Sequence, residues 1–440
     1  MKKKAIAFIL FPALFTGCNL DDDSIQGPEP IIDPAVSLIE DMELTPTEME
    51  MVNSSNAFAF NLFRQITDPA VDLGMPSKIV SPLSITYALG MLNNGAVGNT
   101  RAQINEVLGF GSTGADSINA FCYKMIKTAP ELDSLTKVMI ANNIYLNSGY
   151  NLKENFVQKV NYYYDAYPQT RDFHDSQTLV EINKWASDHT ERMINKILGE
   201  DEFDPDDVSY LLNAIYFKGN WTYKFDKAET IEELFSYPGN TGEVTMRPMM
   251  QIKTALEYSI NSEYEAVRLP YGNGSFQMTI LLPRPKNGYE PEFLVDEPEI
   301  ELPAVPTLKT WQELTQYPYM RQCNVFLKLP RFETESSLNL IETMKKLGMT
   351  DAFTSAADFS NFCNVPVNIG LMKQVAKIKL DEEGSEAAGV TVIGMAETAF
   401  PGVESPDKSY IEFIANRPFI YVISEKKTGA IFFIGQYTGH

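Results

Sequence analysis

From Glu48 onward the apolar positions fall into two rhythms. Ala57, Phe60, Leu62, Phe63 and Ile66 recur at helical spacing, and 83–92 and 100–108 do the same, so the first third of the chain reads as mainly helical. Short apolar runs bounded by turn residues predict strands at 138–145, 211–217, 276–282, 325–329, 378–380, 411–414, 419–423 and 430–434. Two more helices are predicted over 337–347 and over 179–198, the latter with Ile182, Trp185, Ala186, His189, Met193 and Ile197 on one face. Helices first, strands scattered through the rest and an apolar hairpin at the C-terminus describe an α+β domain.

Composition changes this picture in three ways. At 440 residues, length alone points to two domains, while 44% hydrophobic and 21% charged residues give ample material for a large core. A net charge of -22 makes attraction to phosphate backbones unfavourable and excludes nucleic acid as the expected partner. The N-terminus reads as an export signal over 1–17, with Met1-Lys2-Lys3-Lys4 ahead of an apolar stretch too short to span a bilayer. Leu14-Phe15-Thr16-Gly17-Cys18 resembles a bacterial lipobox, although Phe15 stands where Leu is preferred. It implies acylation of Cys18 and a firm membrane anchor. Asn19-Leu20-Asp21-Asp22-Asp23 looks like the tag of lipoproteins exposed on the outer membrane, or else like a plain solvated linker. Residues 18–45, acidic and Pro-rich, read as a tether, and 46–440 as the folded part. The remaining Cys122, Cys323 and Cys363 suit neither a disulfide framework nor a zinc site and read as buried thiols.

Catalysis finds no candidate. A hydrolase needs a nucleophile beside a base, yet only His174, His189 and His440 exist and no Gly-x-Ser-x-Gly elbow occurs. His189 reads as a structural histidine beside Trp185. Gly272-Asn273-Gly274 lies between strand runs and reads as a hairpin turn, not a phosphate cradle. The acidic cluster at 201–207 lacks the Gly and closing Glu of a calcium loop and reads as a solvated turn ahead of a strand. No metal or other cofactor is expected.

The segment 382–408 has few large aliphatics, no helical stripe and strands on both sides, which predicts a long exposed loop. Its first half nevertheless alternates. Ser385, Ala387, Gly389, Thr391, Ile393 and Met395 share one face, small near the start and larger further on, so the segment has the makings of a strand that slides into a sheet.

Glu382-Glu383-Gly384-Ser385-Glu386-Ala387-Ala388-Gly389 resembles the serpin hinge. Further motifs stand in family order: Ser81-Pro82-Leu83-Ser84, Asn94-Gly95-Ala96, Ile182-Asn183 with Trp185, Asn213-Ala214-Ile215-Tyr216-Phe217-Lys218-Gly219 with Trp221, Leu329-Pro330-Arg331-Phe332, Asn416-Arg417-Pro418-Phe419 and Phe432-Phe433-Ile434-Gly435. The resemblance covers 48–440. It implies one α+β domain, overruling the two-domain expectation, with helices on a large central sheet, two further sheets and an exposed reactive-centre loop. It also implies a suicide inhibitor of serine, and also cysteine, endopeptidases, not an enzyme, acting as a monomer: the cut loop inserts as an extra strand while the protease is still held as an acyl ester.

The resemblance implies a reactive bond after the seventeenth residue counted from the first hinge Glu, Glu382, which is Thr398–Ala399, with Met395, Ala396 and Phe400 as other cut sites because the following segment is long. A small residue before the bond suits elastase-like or papain-like proteases better than trypsin-like ones. Ser81, Ser84 and Asn213 match the family's shutter, with Gln374 in place of the usual His, so a pH dependence tied to that His is not expected. Trp221 matches the breach where insertion begins. The rival expectation is a non-inhibitory serpin serving as a surface binding or carrier module, distinguished by whether the cleaved chain gains heat stability.

Overall fold

The computed structural model describes residues 41–68, 76–238, 244–284, 302–385 and 409–439. Among them run the helices α1 (Pro46–Ile66), α2 (Pro82–Asn93), α3 (Gly98–Val107), α4 (Ala115–Thr128), α5 (Glu154–Tyr164), α6 (Ser176–His189), α7 (Leu308–Thr315) and α8 (Ile341–Leu347). The strands are β1 (Lys78–Val80), β2 (Thr136–Asn147), β3 (Gln169–Arg171), β4 (Ser209–Asn220), β5 (Ile231–Ser236), β6 (Val244–Ile260), β7 (Tyr264–Tyr271), β8 (Phe276–Pro283), β9 (Arg321–Pro330), β10 (Phe332–Asn339), β11 (Leu371–Asp381), β12 (Gly384–Ser385), β13 (Ile411–Ile414), β14 (Phe419–Glu425) and β15 (Ile431–Tyr437).

Two sheets hold these strands. One has six, ordered β10-β11-β12-β4-β2-β3, and the other has nine, ordered β1-β15-β14-β8-β7-β6-β9-β13 with β5 beside β6. The two further sheets expected from the resemblance are one ladder here. They are joined because the long β6 pairs β5 through its first residues, β9 through its middle and β7 through its end. Every residue of α2 is buried, from Pro82 to Asn93, as suits a helix that is apolar all round. It touches α1, α4, β15, β2 and β4, and so lies between the two sheets. Pro82 at its first position and the Ser81 hydroxyl accepting from the Ser84 N–H fix where it begins. That start lies directly beneath the six-stranded sheet.

Two predicted helices are shorter than expected. Over 179–198 the helix ends at His189, and Glu191 and Arg192 turn the chain through φ of 48° and 67°. Asn183 then captures the returning chain: its Oδ1 accepts from the N–H groups of Ile197 and Leu198 at 2.8 and 3.0 Å, and its amide donates to the Leu198 carbonyl at 3.0 Å. The apolar rhythm continues past the helix because both stretches pack on the same sheet face, with Ile182, Ala186, Ile194, Ile197 and Leu198 in one cluster. Over 337–347, residues up to Asn339 belong to β10, whose Phe332, Thr334 and Ser336 are buried in alternation while β11 pairs alongside, and the helix starts only at Ile341. The turn at Gly272 and Gly274 does join β7 to β8. Cys122, Cys323 and Cys363 are free and buried.

Candidate functional site

At the head of the six-stranded sheet β11 ends, the chain turns over Glu382 and Glu383, and Gly384 and Ser385 return as a two-residue strand. They pair with Asp381 and Leu380 of β11 on one side, and with Asn220 and Gly219 of β4 on the other. Only glycine fits at 384, since a Cβ there would lie 2.0 Å from the Gly219 carbonyl oxygen. Ser385 is fully buried, its hydroxyl 2.5 Å from that of Tyr271. The Tyr271 ring stacks on Trp221 at 4.4 Å. Trp221 in turn holds the turn itself: its Nε1 donates to the Asp381 carbonyl at 2.9 Å and its backbone N–H to the Glu383 carbonyl at 2.8 Å.

Both hinge carboxylates are occupied. The buried Glu382 accepts from the Thr230 hydroxyl at 2.7 Å and from the Arg331 guanidinium. Burial pushes its carboxyl up, but Arg331 and Thr230 together outweigh that and hold it below the usual carboxylate range. Glu383 meets Lys224 at 2.6 Å and Lys227 at 3.2 Å, and the hydrogen bond from Lys224 leads in lowering it as well.

Below β12 the same two strands close on each other. β11 and β4 pair in parallel over seven residues, from Leu371 opposite Tyr210 to Lys377 opposite Tyr216. Gln374 faces Asn213 at the middle of this seam and donates to its Oδ1 at 2.5 Å. Gln374 also donates to the Ser81 carbonyl at 3.1 Å and accepts from the Ser81 N–H at 2.9 Å. Asn213 donates to the Ser84 hydroxyl and to Asn142 of β2 at 2.6 Å. The start of α2 is thereby stitched to three adjacent strands. All five residues are buried, so each bond broken without replacement would cost about 1–3 kcal/mol.

The other face of the seam lies under α6 and residues 190–203. Leu371 and Val375 of β11 and Tyr210, Leu212 and Ala214 of β4 pack there against Ile182, Ala186, Ile194 and Ile197. Among these apolar groups Lys373 is buried, and its ammonium meets the Glu202 carboxylate, which also accepts from the Gly199 N–H at 2.9 Å. Glu202 comes from the acidic cluster read from sequence as a solvated turn. That reading is corrected for this one residue, whose charge is used against a buried lysine.

Of the residues named from sequence, Ser81, Ser84, Asn213 and Gln374 thus form one hydrogen-bonded group, and Trp221 lies against Glu382–Ser385. Glu386, Ala387, Ala388, Gly389, Met395, Ala396, Thr398, Ala399 and Phe400 lie outside the described residues, as does Cys18. Sequence reading missed Thr230, Lys224, Lys227, Tyr271 and the pair Lys373–Glu202, and gave no role to Arg331 and Asn142. Arg331 and Asn142 are themselves motif residues, but the others come from distant segments whose meeting no spacing encodes.

A family model described as serpin (serine protease inhibitor) matches residues 53–439. Iripin-8 of Ixodes ricinus is 31% identical over 417 residues, covering 91% of this chain and 96% of its own. Serpin B3 of Homo sapiens is 29% identical over 412 residues, covering 89% and 100%. Among solved structures, the thermophilic serpin tengpin in its native state superposes with a TM-score of 0.75 at 27% identity, over 91% of this chain and 96% of that one.

Proposed function

The chain belongs to the serpin family, whose members are in general protease inhibitors, and on that premise we propose that it traps endopeptidases by taking up its own cleaved loop as a strand. The observation that carries the reading is β12: two hinge residues already stand between β11 and β4 at the head of a seam that is closed only by parallel pairing below. Each further residue of the loop, continued in that register, moves one residue back along β11 and along β4. Glu386 then falls between Lys379 and Lys218, and Thr391 falls between Gln374 and Asn213, where its hydroxyl can replace the bond they share. Ser385, Ala387, Gly389, Thr391, Ile393 and Met395 turn to the core side with Leu380, and none carries a charge whose burial would cost several kcal/mol.

In the proposed reaction the protease hydroxyl or thiol attacks the Thr398 carbonyl and its proton passes to the Ala399 amine as the peptide bond breaks, which leaves an ester (a thioester for a cysteine protease) between enzyme and loop. Insertion draws that ester away before water reaches it. Thr398 suits the shallow pocket of an elastase-like serine protease, or a papain-like cysteine protease, better than a pocket that demands Lys or Arg. We place the mature chain on the outer membrane, held by acylated Cys18.

The test incubates the purified chain from residue 46 with elastases and a papain-like protease. The expected product is a complex that survives boiling in detergent, with release of a fragment beginning at Ala399. Clean cleavage without a complex by every protease would instead favour the carrier or binding role.

A further inference from the structure

Insertion requires β11 and β4 to part by one strand spacing, about 4.8 Å. Whatever is fixed to both strands must yield. The layer formed by α6 and residues 190–207 is fixed mainly to the β4 side. It runs directly into β4, and the Tyr210 hydroxyl exchanges hydrogen bonds with the backbone of Asp204 at 2.8 and 2.9 Å. Phe203 packs on Phe173 and Tyr210, Asn147 of β2 donates to the Pro205 and Asp207 carbonyls, and Lys137 of β2 meets Glu191 at 2.7 Å. Glu202 belongs to this layer, held to it by the Gly199 N–H.

Lys373 belongs to β11. It sits opposite Leu212 of β4, at the centre of the seam and one residue from Gln374. Its side chain is only 4% exposed, with Leu371 and Val375 on either side along the strand, so the ammonium is solvated by little besides Glu202. When the strands part by a strand width, Glu202 stays with β4 and Lys373 leaves with β11. The pair does not survive that movement unless the whole layer lifts.

We infer that the Lys373–Glu202 ion pair is the clamp that sets the rate of strand insertion, holding β11 to the layer anchored on β4. The inference rests on the insertion reading above and adds a residue pair that the hinge and shutter motifs do not contain. A buried pair costs much to break by removal of one partner and little to replace by apolar groups. Its stabilisation is present in the closed seam and absent from the open one, so weakening it raises the closed state alone and speeds opening.

The experiment follows uptake by the full chain of a synthetic peptide matching residues 386–396, read as a mobility shift on native gels, and needs no protease. Glu202→Gln, which leaves the buried Lys373 charge without its partner, should take up peptide about tenfold faster than the unaltered chain, and Lys373→Met, which leaves only the part-exposed Glu202 unpaired, should be accelerated less. The peptide-filled forms of all three should unfold at the same temperature, because the pair is broken in each. Unchanged uptake rates with a lowered unfolding temperature of the empty form would reduce the pair to a structural role and leave insertion intact. An unaltered chain that neither takes up peptide nor gains heat stability overturns the insertion reading, and the clamp with it. If Glu202→Gln fails to fold, Lys373→Met and the double variant carry the test, since an apolar side chain of similar length suits that sheet face.

Discussion

Glu382 shows how much one side chain is asked to do. Its carboxylate is buried at the turn into the hinge, yet two partners keep it ionised, Thr230 ahead of β5 and Arg331 ahead of β10. Because its folded pKa is lowered, the stability it contributes is fully present above the unfolded value of about 4.3 and is lost as pH falls through the lower folded value. Replacing it by Gln should therefore cost about 2 kcal/mol at pH 7 and progressively less below pH 4. Thermal unfolding of Glu382→Gln and the unaltered chain across that range measures the difference, and a gap that persists unchanged to low pH would assign the loss to packing. The residue itself was legible in the Glu382-Glu383-Gly384 motif. Its partners were not, because Thr230 and Arg331 lie 152 and 51 residues away in sequence.

At the scale of elements, β12 is the decisive piece and the shortest. Gly384 and Ser385 form it because glycine lets the chain pass Gly219 and because Ser is small enough to reach Tyr271. Ser385→Arg would place a long cation where a fully buried hydroxyl now sits, a burial cost of several kcal/mol, and should expel the strand. The expected outcome is a chain still cut at the same bond but forming little or no detergent-stable complex, seen on a denaturing gel. Sequence pattern located β4, β8, β14 and β15 well, since these are apolar runs buried along their length. It missed β5 and β6, whose polar and apolar residues mix at partly exposed positions. It overran α6 because the fold-back after His189 repeats the apolar spacing of the helix without its backbone.

On the scale of the whole molecule, the described chain begins at Asp41, with Asp41 and Glu43 beside Lys427 in the turn between β14 and β15. If Cys18 carries the anchor, Cys18→Ala should move the protein from the membrane fraction to the soluble fraction on centrifugation, with inhibition by the purified domain unchanged. A wild-type chain already found soluble would sink the anchor. The seam between β11 and β4 has a consequence for capacity. A filled seam exchanges one parallel ladder for two antiparallel ones, and antiparallel pairing is the more stable per residue, so nothing returns the strand once it has entered. On the proposed function, each copy is a single-use reagent. Protection against a protease then follows a titration curve with a sharp end point, fixed by how many copies the cell has made and not by how tightly any one of them binds.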